Sequence, residues 1–200
     1  MSLGLLGVGL VIAALALALS RRASFPARLG IAAVALAGAF VPWGGMNFAG
    51  YFLGIAGELS VTTMVLLAAT ISGLLGGGEL VSRRELGGVR AFVLLAASFL
   101  YPMALGLTRF DPYALGYSGD CCVLSAALAV AALLAWLGRR FLLLAALVLG
   151  LVARKLQLLE SPNLWDYLLD PWLTLSMALS LVASARGARF TIFDRFSKSR

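Results

Sequence analysis

The chain has 200 residues, 62% of them hydrophobic and only 12% charged, with a mean hydropathy of +0.98 and a formal net charge of +7. One soluble domain of this size cannot bury so much apolar surface, so the composition argues against an ordinary globular protein and for a membrane protein. Histidine is absent, which excludes His-ligated haem, Ser-His hydrolases, Cys-His nucleophile pairs and His-rich zinc sites.

A spanning helix needs about 20 predominantly apolar residues. Seven candidate runs lie between the charge clusters. The first is Leu3 to Ser20, ending at "RRASFPAR"; it lacks a basic segment ahead of its apolar stretch and reads as an uncleaved helix rather than a secretory signal. The second, Leu29 to Trp43, is short and ends in a Pro-Trp-Gly-Gly break. The stretch 43–58 that follows is too apolar for a free loop and is expected to dip into, or lie on, the membrane. The third run is Leu59 to Leu75, with a polar stripe of Thr62, Thr63, Thr70 and Ser72, and the fourth is Val89 to Leu107. The fifth, Cys121 to Leu137, meets the sixth, Phe141 to Leu159, through "GRR", which leaves room only for a tight helical hairpin. The seventh is Leu168 to Ala185. Long unbroken apolar runs select helices over the alternating strands of a barrel. The expected fold is therefore an all-α, polytopic transmembrane bundle over residues 1–187, followed by a basic aromatic tail at 188–200.

Charge sets the orientation, because segments on the inner side carry the Lys and Arg excess. With the N-terminus outside and the C-terminus inside, four inner segments hold 13 of the 16 basic residues and three of the nine acids (Glu79, Glu85, Asp194). The outer side keeps Arg109, Arg154 and Lys155 against Glu58, Asp111, Asp120, Glu160, Asp166 and Asp170.

Motifs that name a reaction are missing. The cysteines are adjacent, Cys121 and Cys122, and neighbouring helical side chains diverge by about 100°, so they read as small packing residues. "GYSGDCC" at 116–122 shares Gly119 and Asp120 with the Gly-x-Gly-Asp motif of intramembrane aspartyl proteases. Tyr117 stands where that motif has its first glycine, however, and a second membrane-embedded aspartate is lacking. Size and topology are similar to those of the bacterial glycerol-3-phosphate acyltransferases, whose histidine-containing motif has no counterpart here. "GLLGGGEL" at 73–80 lacks the Gly-Lys-Ser/Thr of a phosphate loop. Gly4, Gly7, Gly30 and Gly38 suit close helix approach.

Chemistry-bearing residues gather instead in three outer loops, at 43–58, 108–120 and 154–170. The last contains "LLESPNLWDYLLDPW", 158–172. There Trp165, Tyr167 and Trp172 suit an aromatic belt, Ser161 and Pro162 the start of a short helix, and Asp170 the positive end of the last helix. The outer-face interaction candidates are Glu58, Arg109, Asp111, Tyr113, Asp120, Arg154, Lys155, Glu160, Trp165, Asp166 and Asp170. The three cations suit ion pairs or a phosphate clamp. In the tail, Arg189, Phe193, Arg195, Phe196 and Lys198 suit anionic headgroups at the inner surface.

The expectation is a non-enzymatic, multi-pass protein of a bacterial inner membrane. Its outer loops dock an envelope-biogenesis partner, its surroundings are membrane lipids, and it calls for no cofactor, metal or nucleic acid. The alternatives are an enzyme acting on a lipid-linked substrate at the outer leaflet, with Asp111, Glu160, Asp166 and Arg109 as its candidates, and a transporter of small solutes or lipids.

Overall fold

The computed structural model describes residues 3–76, 81–107, 109–117 and 122–185. Asp120, Cys121 and the whole 188–200 tail, including Arg189, Phe193, Arg195, Phe196 and Lys198, lie outside the described residues, as does the side chain of Cys122.

The fold is all-helical. Helices α1 (Leu3–Leu19) and α2 (Phe25–Ala39) are followed by a two-residue antiparallel hairpin, Pro42–Trp43 with Met46–Asn47, and by α3 (Phe48–Ala56). Next come α4 (Val61–Leu74), α5 (Arg83–Ala104), a 3-10 turn (Pro112–Gly116), α6 (Cys122–Leu137), α7 (Phe141–Lys155), α8 (Leu164–Leu168) and α9 (Pro171–Ala185). Among the described residues one helix, α5 with 22 residues, is by itself long and apolar enough to cross a membrane; α1, α2, α4, most of α6 and α9 are shorter apolar helices.

Several helix boundaries fall where the sequence provides a start or a stop. Ser60 and Ser82 cap α4 and α5, accepting from the N–H of Thr63 and Glu85 respectively. Pro26 occupies the first turn of α2, so that helix starts four residues before the apolar run at Leu29. The "GRR" hairpin closes α6 with bonds from Arg139 N to Trp136 O and from Arg140 N to Ala135 O, the paired pattern of a Schellman end. The left-handed residue in it is Arg139, at φ 52°, rather than the neighbouring Gly138.

α4 packs on α1 and α7, α7 also on α5, α6 and α8, and α9 on α5. The main core runs through these contacts, with Leu66, Val89, Val93, Leu147, Leu168 and Met177 almost fully enclosed. Close approach depends on particular glycines. A Cβ on Gly7 would meet Met64 Cε at 3.0 Å, and one on Gly150 would meet Leu168 Cδ2 at 2.9 Å. Gly30 and Gly38, expected to serve the same purpose, have open space around them. Both lie on α2, which packs on α1 and α3 at the edge of the bundle.

Helix ends collect at two poles. At one, Arg28 Nη1 donates to Leu74 O at 2.6 Å, supplying an orphan carbonyl at the end of α4. Glu85 accepts from Phe141 N and Leu142 N at 3.1 and 2.9 Å, capping α7 across the bundle, and Arg84 donates to Gly138 O. Arg90 reaches from the second turn of α5 to Ser180 and Ser184 at the end of α9. The opposite pole holds Glu58, Asp111, Glu160, Asp166 and Asp170. Long-range packing thus gathers most described basic residues at one end and most described acids at the other, with Arg109, Arg154 and Lys155 at the acidic end. Between the poles many large apolar side chains face outward, among them Leu95, Val123, Leu134 and Leu137 at 62–72% exposure.

Candidate functional site

Segment 158–172 organises the acidic pole. Its peptide chain leaves α7 through Gln157, a non-glycine residue at φ 51°, with Leu158 N bonded back to Ala153 O. Asn163 then caps α8 by accepting from Trp165 N, so the short helix starts at Leu164 rather than at Pro162. Ser161 does not cap the helix; its hydroxyl accepts from Asn163 N and donates to Asp166.

The aromatic residues of this segment divide. Tyr167 is fully enclosed, its hydroxyl meeting both the N–H and the C=O of Leu159 at 3.2 Å. Trp165 is 5% exposed and donates Nε1–H to Pro112 O at 2.9 Å. Neither lies in a surface belt, as the sequence had suggested. Both are pinned by polar backbone groups that a buried ring with one polar atom needs. Trp172 does stay on the surface, half exposed, with its indole N–H on Ala56 O at 3.0 Å.

Three loops interlock here. Asn163 Nδ2 donates to Tyr113 O at 3.0 Å and Trp165 to Pro112 O, which fixes the 3-10 turn against α8. Gly116 is the point of closest approach, since a Cβ there would collide with Asn163 Oδ1 and lie 2.9 Å from Trp165 Cδ1. Glu58 Oε2 accepts from Glu160 N at 2.9 Å, which joins the loop before α4 to the same segment. Gly4 leaves space for that carboxylate, because a Cβ on it would lie 2.6 Å from Glu58 Oε1.

Among the described acids Asp170 is the most deeply placed, 3% exposed. Its Oδ2 accepts from Ser60 N at 3.0 Å, Ser60 Oγ at 2.7 Å and Thr63 Oγ1 at 2.5 Å. Its Oδ1 accepts from Leu173 N at 2.7 Å. One carboxylate thus caps the start of its own helix α9 and of α4, where two sets of orphan N–H groups and two positive dipole ends converge. Ser60 and Thr63 were not read as partners of Asp170. Ser60 before an apolar run is a legible cap, but the partner 110 residues away leaves no local signal.

The remaining acids form a half-buried group. Asp166 accepts from Tyr113 Oη at 2.8 and 3.0 Å as well as from Ser161. Burial pushes the Tyr113 phenol well above its usual range, and its bond to a carboxylate adds to the shift. Burial likewise pushes the Glu58 carboxyl up, helped by the charges of Glu160 and Asp166 and opposed by N–H groups of Glu160 and Ser161. Glu58 Oε1 is enclosed and has no hydrogen-bond partner among the described residues. Beside this group a shallow cleft of about 440 Å³ is lined by Leu5, Met46, Asn47, Gly50, Leu53 and Glu160.

The other candidate residues stand apart from this group. Arg109, Asp111 and Lys155 are exposed, and Asp111 caps its own turn through Tyr113 N. Arg154 is half buried at the end of α7, its Nε without a hydrogen-bond partner among the described residues. Among the described residues no cluster of three potential ligands could hold a metal ion. No family model matches the chain, and no curated protein or solved structure does so.

Proposed function

We propose that the chain crosses a bacterial inner membrane seven times, with the acidic pole outside. There it acts as a non-catalytic subunit whose locked outer cap docks an envelope protein. The positive-inside charge pattern and the apolar side chains facing outward between the poles support the membrane reading, because a soluble monomer seldom exposes apolar patches beyond a few hundred Å². Helices of 14 to 17 residues are about 21–26 Å long, short of a ~30 Å hydrocarbon core. Apolar flanking residues and local bilayer thinning make up the difference at modest cost.

The observation that carries the docking reading is how the acids are used. Asp170, Asp166 and Asp111 accept from hydroxyls and N–H groups within the cap, which rigidifies three loops into one surface. Glu160, Arg109, Lys155 and the 79%-exposed Trp43 remain facing outward from it. A rigid, mixed-charge surface with an aromatic anchor is what a protein partner recognises at low ordering cost. The test places a photo-crosslinking amino acid at exposed Glu160 and irradiates whole cells. Capture of one dominant protein, weakened by Arg109→Glu, supports docking. Capture of lipid alone, or of nothing, contradicts it.

A second reading, an outer-leaflet enzyme acting on a lipid-linked substrate, is favoured by one observation. Glu58 combines a raised carboxyl pKa with an enclosed, unpartnered oxygen, and its other oxygen is bonded to the N–H of Glu160, which lines the cleft; a shifted carboxyl of this kind suits a general acid or base. Loss of the cellular phenotype in Glu58→Gln, with normal expression and an unchanged crosslink at 160, would select this reading over docking.

A further inference from the structure

α4 packs on α1 and α7 while α9 packs on α5, so α4 and α9 share the Asp170 cap at their tops but diverge below it. A crevice of about 200 Å³ opens between them. Its floor is Leu59, Thr63, Leu67 and Leu173, all buried, and its lips are Phe52 and Trp172, both exposed. Val11, at the middle of α1, and Ser176 close the remaining sides. Trp172 is held at the upper lip by its bond to Ala56 O.

The polar groups on these walls are already engaged. Thr63 Oγ1 donates to Asp170, and Ser176 Oγ donates to Leu173 O at 2.8 Å. The crevice therefore offers an occupant an apolar surface, at a volume below the roughly 300 Å³ of common small-molecule sites. It starts at the acidic pole and descends to Leu67, about 9 Å below the start of α4, roughly a third of a hydrocarbon core. Exposed Leu175 and Leu179 stand one helical turn from the lining residues Trp172 and Ser176 on α9, so apolar surface continues along the helix from the crevice.

We propose that one acyl chain of an outer-leaflet phospholipid occupies this crevice, entering between Phe52 and Trp172, and is retained as a bound lipid. The inference rests on the membrane reading and adds a specific lipid site to it. In a bilayer the competing occupants at that depth are acyl chains, and a narrow slot gives one chain wall contacts that bulk lipid does not.

The test reconstitutes the full chain in phosphatidylethanolamine and phosphatidylglycerol vesicles containing a phospholipid with a diazirine on one acyl chain. Labelled positions are mapped by mass spectrometry. The expected result is labelling concentrated on the Leu59–Leu67 and Trp172–Ser176 segments. Ser176→Phe and Val11→Phe, which fill the crevice from opposite walls, each lower it about ten-fold. Labelling of exposed Leu134 on α6 stays unchanged in both variants, which shows that they fold and embed. Belt labelling without enrichment in the crevice overturns the lipid site and leaves the membrane reading standing. No labelling at either place overturns both. A crosslink between two copies of this chain through the crevice, in place of lipid, also overturns the proposal.

Discussion

Replacing Asp170 with alanine removes four accepted bonds at once. The cap of α9 is lost, worth about 1 kcal/mol, and α4 is left with the Ser60 Oγ cap on Thr63 N alone. The donors of Ser60, Thr63 and Leu173 are then left in a buried space, where each unmet group costs ~1–3 kcal/mol before relaxation. Allowing for a water entering and for shared partners, the expected loss is about 3–5 kcal/mol, at the upper end for one substitution. For a chain of this size that lowers Tm by roughly 6–20 °C. Asp170→Asn keeps one oxygen facing Ser60 and Thr63 and turns its amide toward Leu173 N, so it costs about 1–2 kcal/mol. The assay is thermal unfolding in mild detergent. A double-mutant cycle with Ser60→Ala accompanies it, in which the two losses fall short of adding by about 1 kcal/mol or more. An Asp170→Ala protein that melts within about 2 °C of the parent would refute the cross-helix cap.

The other perturbations act on neighbouring parts of the cap and on the opposite pole. Gly116→Ala drives a methyl group into Asn163, so it is expected to cost about 1–3 kcal/mol and to make the 109–117 loop cleavable in limited proteolysis. For Glu58 the carboxyl pKa is higher folded than unfolded, so above the ordinary value of 4.5 the unfolded chain binds fewer protons and stability falls as pH rises through that window. Glu58→Gln therefore raises Tm at pH 7.5, and the gain closes as pH drops below 4.5, measured by melting across pH. Glu85→Ala, which uncaps α7 at the basic pole, lowers Tm by an amount corresponding to about 1 kcal/mol and speeds hydrogen exchange at Phe141 and Leu142.

Much of the bundle is legible from periodicity and punctuation. All seven apolar runs lie in helices, and capping and breaking residues such as Ser60, Ser82 and Pro26 set their ends; the second is displaced four residues toward the N-terminus, the fourth starts six residues early, at Arg83, and the sixth stops at Lys155 rather than Leu159. What eluded the sequence is long-range. Trp165 and Tyr167 read as surface aromatics because aromatic rings beside acids at a helix end usually are, and their burial depends on Pro112 and Leu159 being brought to them. Asp170 was placed correctly at the start of the last helix from local sequence, yet its second cap, on α4, required Ser60 and Thr63 to arrive from over 100 positions away. The outer acids suggested ion pairs with Arg109, Arg154 and Lys155. In the fold Asp166 and Asp170 meet hydroxyls and N–H groups, which satisfy a carboxylate without desolvating a second charge. The spacing of Gly30 and Gly38 resembled that of Gly4 and Gly7, but only the latter pair falls where another chain segment presses close.

The placement of the cap outside and of the basic pole inside is tested most directly by side-specific labelling in intact bacteria. In a chain whose Cys121 and Cys122 are replaced by serine, Glu160→Cys and Arg139→Cys each provide one thiol at opposite poles. The expected result is that a membrane-impermeant maleimide labels the cysteine at 160 in intact cells and the one at 139 only after permeabilisation. Labelling of both from outside, or of 139 alone, would contradict the seven-crossing, cap-outside arrangement.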